Sequence, residues 1–311
     1  YRVSAAENCG LGMFSTATIA RGDLILCERP LLVCPQLLPY RSSRQPLKQY
    51  PELHDAVSRM RPGDLEAFYA LANCYDPASV PSTKGIIDTN ALHLGALGSS
   101  NRLYGAVCKD ISRINHSCTP NAVYRFDPTS FTFEVRALHP IPHASQIFIS
   151  YIDPALSRAQ RQEALLSSYG FACACPACSL TGAALTQSET RRSLIARADA
   201  GLGARDAALE RWLHAPSMPD EYVNRIDRMY MDLFEKEGLY YEPVWEGFAI
   251  RLCKACCALG DREGAQRWAE LAAGLNRAYT GSDRGWAAVV EAPERTQWWA
   301  LRTSRSRPAP R

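Results

Sequence analysis

The chain has no run of 18 apolar residues, so no stretch of it reads as a membrane-crossing helix. It also has little excess charge. Lys and Arg number 35 against 32 Asp and Glu, a formal net charge of +3. That balance is not the basic footprint of a nucleic-acid binder. The one basic cluster, RTSRSRPAPR at 302–311, reads as a solvated tail. No secretory signal is legible, and the chain opens on Tyr1 rather than Met. Gly and Pro stand at ordinary levels, which excludes collagen-like and low-complexity classes. The expectation is a monomer in the cytoplasm or nucleus, with no membrane and no direct nucleic-acid contact.

With 311 residues, 47% of them apolar, the chain can bury a core and form two domains. The twelve Cys are clustered, three of them in CACPAC at 173–178 and three in CKACC at 253–257. Without a secretion signal, such clusters favour metal ligands or buried thiols over disulfides. Cys253, Cys256 and Cys257 fall inside a helical pattern and read as buried thiols.

Periodicity divides the chain. Residues 1–34 carry a Gly-bearing turn and short strands, and 35–88 read as helical. Asp64 is the expected N-cap of a helix with Leu65, Phe68, Leu71, Ala72 and Tyr75 at helical spacing. Residues 89–155 hold a hairpin around DPTS, with Val123, Phe131, Phe133 and Val135 beside the turn, and a strand in SQIFISYID. A short helix leads into a Cys segment over 156–180. Small polar residues near 180–190 mark a boundary, and 190–300 is helical. There Val223, Ile226, Tyr230, Leu233 and Phe234 share a face ended by Gly238, and Gly260 and Asp261 join the next two helices. Such antiparallel pairs are similar to tetratricopeptide hairpins, without a clean 34-residue repeat. Trp298 and Trp299 are expected to pack the end of the chain onto the body. Residues 301–311 are the tail.

The run SRINHSCTPNA, 112–122, sets polar side chains between apolar segments. It suits a surface loop, a Cys–His nucleophile, a metal site or the floor of a cofactor pocket. A nucleophile would need a Gly-bounded elbow and a third member, and neither is legible. Cys173, Cys175 and Cys178 give three thiols at C-x-C-x2-C spacing, one short of a tetrahedral zinc site. The same spacing also suits three buried thiols. His116 and Cys118 are the nearest polar candidates upstream.

GLGMFST, RINHSCTPNA, IFISYID and SYGFACACPAC occur in that order, and together they resemble a SET domain followed by its cysteine-rich post-SET segment. The resemblance runs from about Val3 to Cys178. With a helical insertion and a helical C-terminal part, the layout is most similar to SET- and MYND-containing protein lysine methyltransferases and their fungal relatives. Two departures stand out. Residues 35–85 hold only Cys74 and His54, too few for a MYND finger. HASQ stands where the family usually has Gly-Glu before the strand, a change expected to alter the turn and not the chemistry.

The resemblance implies an α+β fold and S-adenosylmethionine-dependent methylation of a lysine on a histone or other protein. It places the cofactor against Gly10, Leu11, Gly12, Asn90, Asn115, His116, Tyr151 and Phe171. Tyr151 is the implied catalytic residue, and Tyr169 lines the lysine channel. Cys118 would complete a Zn2+ site with Cys173, Cys175 and Cys178. Ile149, two residues before Tyr151, is where a Tyr would restrict the product to one methyl, so more than one methyl is expected here. A cofactor-binding scaffold without useful catalysis is the alternative, against which the retained Tyr151 argues.

Overall fold

A computed structural model describes residues 1–7, 9–35, 51–97, 102–215, 217–221 and 224–303. Val223, residues 36–50 of the expected helical stretch and most of the basic tail lie outside these.

Among the described residues, ten short strands form three small sheets rather than one large one. In the first, β1 (Arg2–Ala6) pairs antiparallel with β2 (Gly10–Phe14), and β2 pairs with β10 (Gln146–Ile149). β10 then runs parallel to the two-residue β7 (Asn115–His116), with Phe148 opposite Asn115 and Ile149 opposite His116. This parallel bridge sets NHSC beside FISY, motifs some thirty residues apart. The second sheet orders β3 (Leu24–Glu28), β9 (Thr132–Ala137) and β8 (Ala122–Asp127), the last two being the expected hairpin. The third orders β4 (Leu32–Pro35), β6 (Leu103–Val107) and β5 (Leu92–Ala96). Met13, Phe133, Val135, Ile141 and Ile147, all fully buried, form the core between the sheets.

The insertion is three short helices, α1 (Pro51–Ser58), α2 (Pro62–Tyr69) and α3 (Ser82–Asn90), packed on β4 and β6 through Val57, Phe68, Ile86 and Ile87. Asp64 is not the N-cap. Pro62 begins α2, because its fixed φ suits a first helical position, and Arg61 takes the cap. Asp64 lies in the first turn, where its carboxylate meets the helix dipole and pairs with Arg61 at 2.7 Å.

α4 (Arg158–Tyr169) starts at a capping box in which Ser157 and Gln160 bond each other's backbone amides. It stops at Gly170, whose φ of 74° is left-handed and costs Gly little. Among the described residues six further helices follow: α5 (Gly182–Ile195), α6 (Leu202–His214), α7 (Asn224–Glu237), α8 (Glu242–Leu259), α9 (Arg262–Thr280) and α10 (Trp286–Glu291). Gly260 ends α8 and Asp261 caps α9, as the sequence predicts. Cys253, Cys256 and Cys257 are buried in α8. Ile226 departs from the expected apolar face and is half exposed, near the start of its helix. Trp298 and Trp299 pack on the helical core. That core also contains Leu138 and Ala155, so the helical part and the strand part share apolar interior. No helix among the described residues is long and apolar enough to cross a membrane.

Candidate active site

A cavity of about 1170 Å³ opens between the β2 turn, the insertion helices and the end of α4. Clefts that take small ligands are commonly about 300–1,000 Å³, so this one is ample for a nucleoside-sized cofactor. Gly10, Leu11, Asn90, Asn115, Tyr151, Tyr169 and Phe171 all line it. Gly10 has a φ of 71°, and a Cβ there would project into open space. A ligand backbone can therefore approach that turn closely.

Two expected cofactor residues are placed differently. A Cβ on Gly12 would come within 2.5 Å of Gln146 Nε2 and 3.0 Å of Asn115 Nδ2. Gly12 thus serves the packing of β2 on β10 and does not line the cavity. The ring of His116 is likewise turned inward. Its Nδ1 accepts from the Tyr151 N–H at 3.0 Å, and its Nε2 lies 3.2 Å from Cys118 Sγ. Burial lowers the His116 pKa to about 4, so the ring is neutral at pH 7. With Nδ1 accepting, Nε2 carries the proton and donates to the sulfur.

The other polar side chains brace the cavity wall. Asn115 Nδ2 donates to the Leu11 carbonyl at 3.0 Å, tying β7 to the Gly turn. Asn90 Nδ2 donates to the carbonyls of Ala72 and Ile86 at 2.7 and 2.8 Å. Tyr151 Oη donates to the Ile114 carbonyl at 2.6 Å. One residue is therefore fixed twice by the 114–116 strand, through its hydroxyl and through its amide. Tyr169 sits with its ring centroid 4.9 Å from that of Tyr151, and Phe171 lies 6.5 Å beyond Tyr169. The left-handed Gly170 between them turns both rings to the cavity. Burial pushes the Tyr169 phenol up to about 12, and burial likewise raises that of Tyr151. Both are neutral hydroxyls in the physiological range.

Behind this wall Cys118, Cys173, Cys175 and Cys178 converge, with all four sulfurs within 4.8 Å of one another. Cys118 Sγ and Cys178 Sγ are 3.6 Å apart. A tetrahedron with Zn–S bonds of about 2.3 Å places sulfurs about 3.8 Å apart, so the set fits a zinc ion. The thiols contend for protons. Hydrogen bonds from Cys118 and Cys173 hold Cys178 down to about 6, and those from Cys118, Cys173 and Cys178 hold Cys175 below the usual thiol range. Thiolate is the form a metal binds. Gln162 clamps the segment by bonding both the N–H and the carbonyl of Cys173. Arg161, fully buried, approaches Cys178 Sγ at 4.0 Å, and its Nε has no hydrogen-bond partner among the described residues. A buried cation beside four sulfurs suits the negative charge of a thiolate-bound zinc. Arg161 and Arg192, which donates to the Cys118 carbonyl, were not legible as site residues. No spacing rule marks a helical Arg as facing a Cys cluster.

A second cavity of about 290 Å³ shares Tyr124, Ile149 and Ser150 with the first. Its far wall comes from the helical part, through Tyr240, Tyr241, Glu242 and Tyr279.

The mixed strands and helices and the four-sulfur cluster fit a SET-type fold, and residues 10–152 match the SET domain family. The chain is homologous to lysine methyltransferases of the Set5 and SMYD2 kinds. It is 30% identical to the histone-lysine N-methyltransferase set5 of Schizosaccharomyces pombe over 64% of this chain and 57% of that protein. It is 34% identical to the N-lysine methyltransferase SMYD2 of Homo sapiens over 30% of this chain and 19% of that protein. A match of 46% to the histone-lysine N-methyltransferase ASHR1 of Arabidopsis thaliana covers 23% of this chain and 15% of that protein. The chain therefore spans little more than half of the first of these relatives and less than a fifth of the other two.

Proposed function

We propose that the chain is an S-adenosylmethionine-dependent protein lysine N-methyltransferase. The observation that carries this reading is Tyr151, a neutral phenol held by the Ile114 carbonyl and the His116 ring on the wall of the large cavity. The cofactor, when bound, supplies a methyl group already activated on a sulfonium. Gly10, Leu11 and Phe171 line the large cavity, and they would hold the cofactor there, Gly10 and Leu11 on its methionine part and Phe171 on its adenine. Aromatic stacking of that kind is worth about 1–3 kcal/mol.

Transfer to an amine is a direct displacement, so the protein's task is alignment, which can supply about 7–11 kcal/mol. Tyr151 donates its hydroxyl proton to the Ile114 carbonyl, which leaves its oxygen lone pairs free to face the positive charge of a bound sulfonium. It is no base, because burial keeps its phenol protonated. The lysine would give up its proton to water as it enters, because burial between Tyr124, Tyr151 and Tyr169 strips the hydration that favours the ammonium. The second cavity, which shares Tyr124, Ile149 and Ser150 with the first, supports entry of the lysine from the side of the helical domain. The zinc reading rests on the four sulfurs, which would tie the NHSC run to the post-SET segment and hold Phe171 over the cavity.

The test is transfer of labelled methyl to proteins of a cell extract, with mass spectrometry of the modified site. Wild type should label lysine. Tyr151→Phe should bind cofactor as before and lose about 10²-fold in rate, the scale of one preorganised polar contact. Binding of the cofactor with no transfer by wild type would favour the scaffold reading.

A further inference from the structure

The cofactor carries three charges: a sulfonium, an ammonium and a carboxylate. The two cations can be met by carbonyl and carboxylate oxygens, which are plentiful in any cavity wall. The carboxylate calls for a cation, and among the described residues lining the large cavity Arg113 is the one Arg or Lys. Asp88 also lines it but is tied to the buried Lys84.

Arg113 is held rigidly. It closes a 3-10 turn over Ile111–Arg113, and its N–H bonds the Asp110 carbonyl at 2.9 Å. The Glu28 carboxylate anchors that turn by accepting from the amides of Lys109, Asp110 and Ile111 at 2.7 to 3.0 Å. The guanidinium spends Nη2 on the Ala70 carbonyl at 2.8 Å. Its Nε and Nη1 have no hydrogen-bond partner among the described residues. Partial burial disfavours its charged form, a cost that an arriving carboxylate would offset. The next residue, Ile114, is the acceptor of the Tyr151 hydroxyl. A contact to the methionine half would thus stand one residue from the carbonyl that fixes Tyr151.

We propose that Arg113 binds the carboxylate of the cofactor's methionine half, using the donors that the Ala70 contact leaves free. The proposal rests on the cofactor reading above. Arg113 is then a binding residue that sets where the methyl group lies relative to Tyr151.

The test compares two ligands that differ in one group, S-adenosylmethionine and its decarboxylated form, by calorimetry on the full chain. For wild type, the carboxylate should improve affinity about tenfold or more, as a charge-assisted hydrogen bond does. In Arg113→Gln that preference should vanish, because S-adenosylmethionine weakens and the decarboxylated form does not. Arg113→Lys keeps the charge without the fork and should restore part of the preference. Equal weakening of both ligands in the two variants would overturn the assignment, since Arg113 would then act only by tethering Ala70. So would a carboxylate preference that survives in Arg113→Gln. Wild type that binds neither ligand would bring down the cofactor reading itself, a distinct result.

Discussion

His116 joins two pieces of chemistry with one ring, steadying Tyr151 at Nδ1 and pointing Nε2 at the sulfur of Cys118. A ring committed on both nitrogens has little left for a ligand, which is why the NHSC motif uses its His behind the wall and not on it. A hydrogen bond of this sort, made to the sulfur from behind, orients a metal ligand. The protein as purified is expected to hold close to one zinc per chain, and Cys118→Ser to lose it. Elemental analysis with thermal melting checks this, since a structural zinc contributes folding energy directly. Wild type that is fully folded without metal would sink the zinc reading. Ile149 gives a second residue-level outcome. It is 2% exposed and lines both cavities, which under the proposed function puts it beside the path of the target nitrogen. An aliphatic group there anchors no water, and repeated methylation is expected on a peptide substrate. Ile149→Tyr should shift the product toward one methyl, read by intact mass at long incubation. Wild type that stops at one methyl would refute this.

Individual elements were legible where a local signal defines them. The DPTS hairpin, the short helix before the Cys segment and the Gly260–Asp261 joint all follow from residues within a few positions of each other. What the sequence could not show was long-range placement. Nothing local to NHSC says that it pairs parallel with FISY, and nothing local to Gly12 says that Gln146 will crowd it. Arg113 stands at the head of the NHSC run, but nothing in the local spacing says that it faces a cavity. HASQ in place of Gly-Glu predicts a changed turn, and Ala144 has a φ of 62° in the turn before β10. A side chain in left-handed backbone costs about 1–2 kcal/mol, part of which Gly returns as unfolded-state entropy. Ala144→Gly should therefore stabilise the fold by about 0.5–1 kcal/mol, read by denaturant unfolding, with methyl transfer unaffected. A destabilised variant would show that Ala144 makes contacts worth more than its strain.

At the scale of the whole molecule, the helical part is a wall of the SET domain as much as a domain of its own. Arg192 on α5 donates to the carbonyls of Cys118 and Pro154 and is held by Glu237 of α7 at 2.9 Å, all of it buried. The core of α7 to α9 closes over Leu138 and Ala155. Ending the chain near residue 181 would open that core and strip the Arg192 network, so loss of folding is the expected result, seen as lost cooperative melting. Breaking one buried ion pair alone costs about 3–5 kcal/mol. Deletion is accordingly a poor probe of substrate choice, and point changes on the far wall of the smaller cavity are better. That cavity is lined by Asp153 and Glu242 and, among the described residues, by no Lys or Arg. Such a wall favours a peptide with a basic residue next to the target lysine. Glu242 is exposed, so its contribution is screened and small. Glu242→Lys should raise KM for such a peptide by up to about fivefold, with kcat held, and the effect should shrink at high salt. An unchanged KM, or a change that ignores salt, would place the peptide elsewhere.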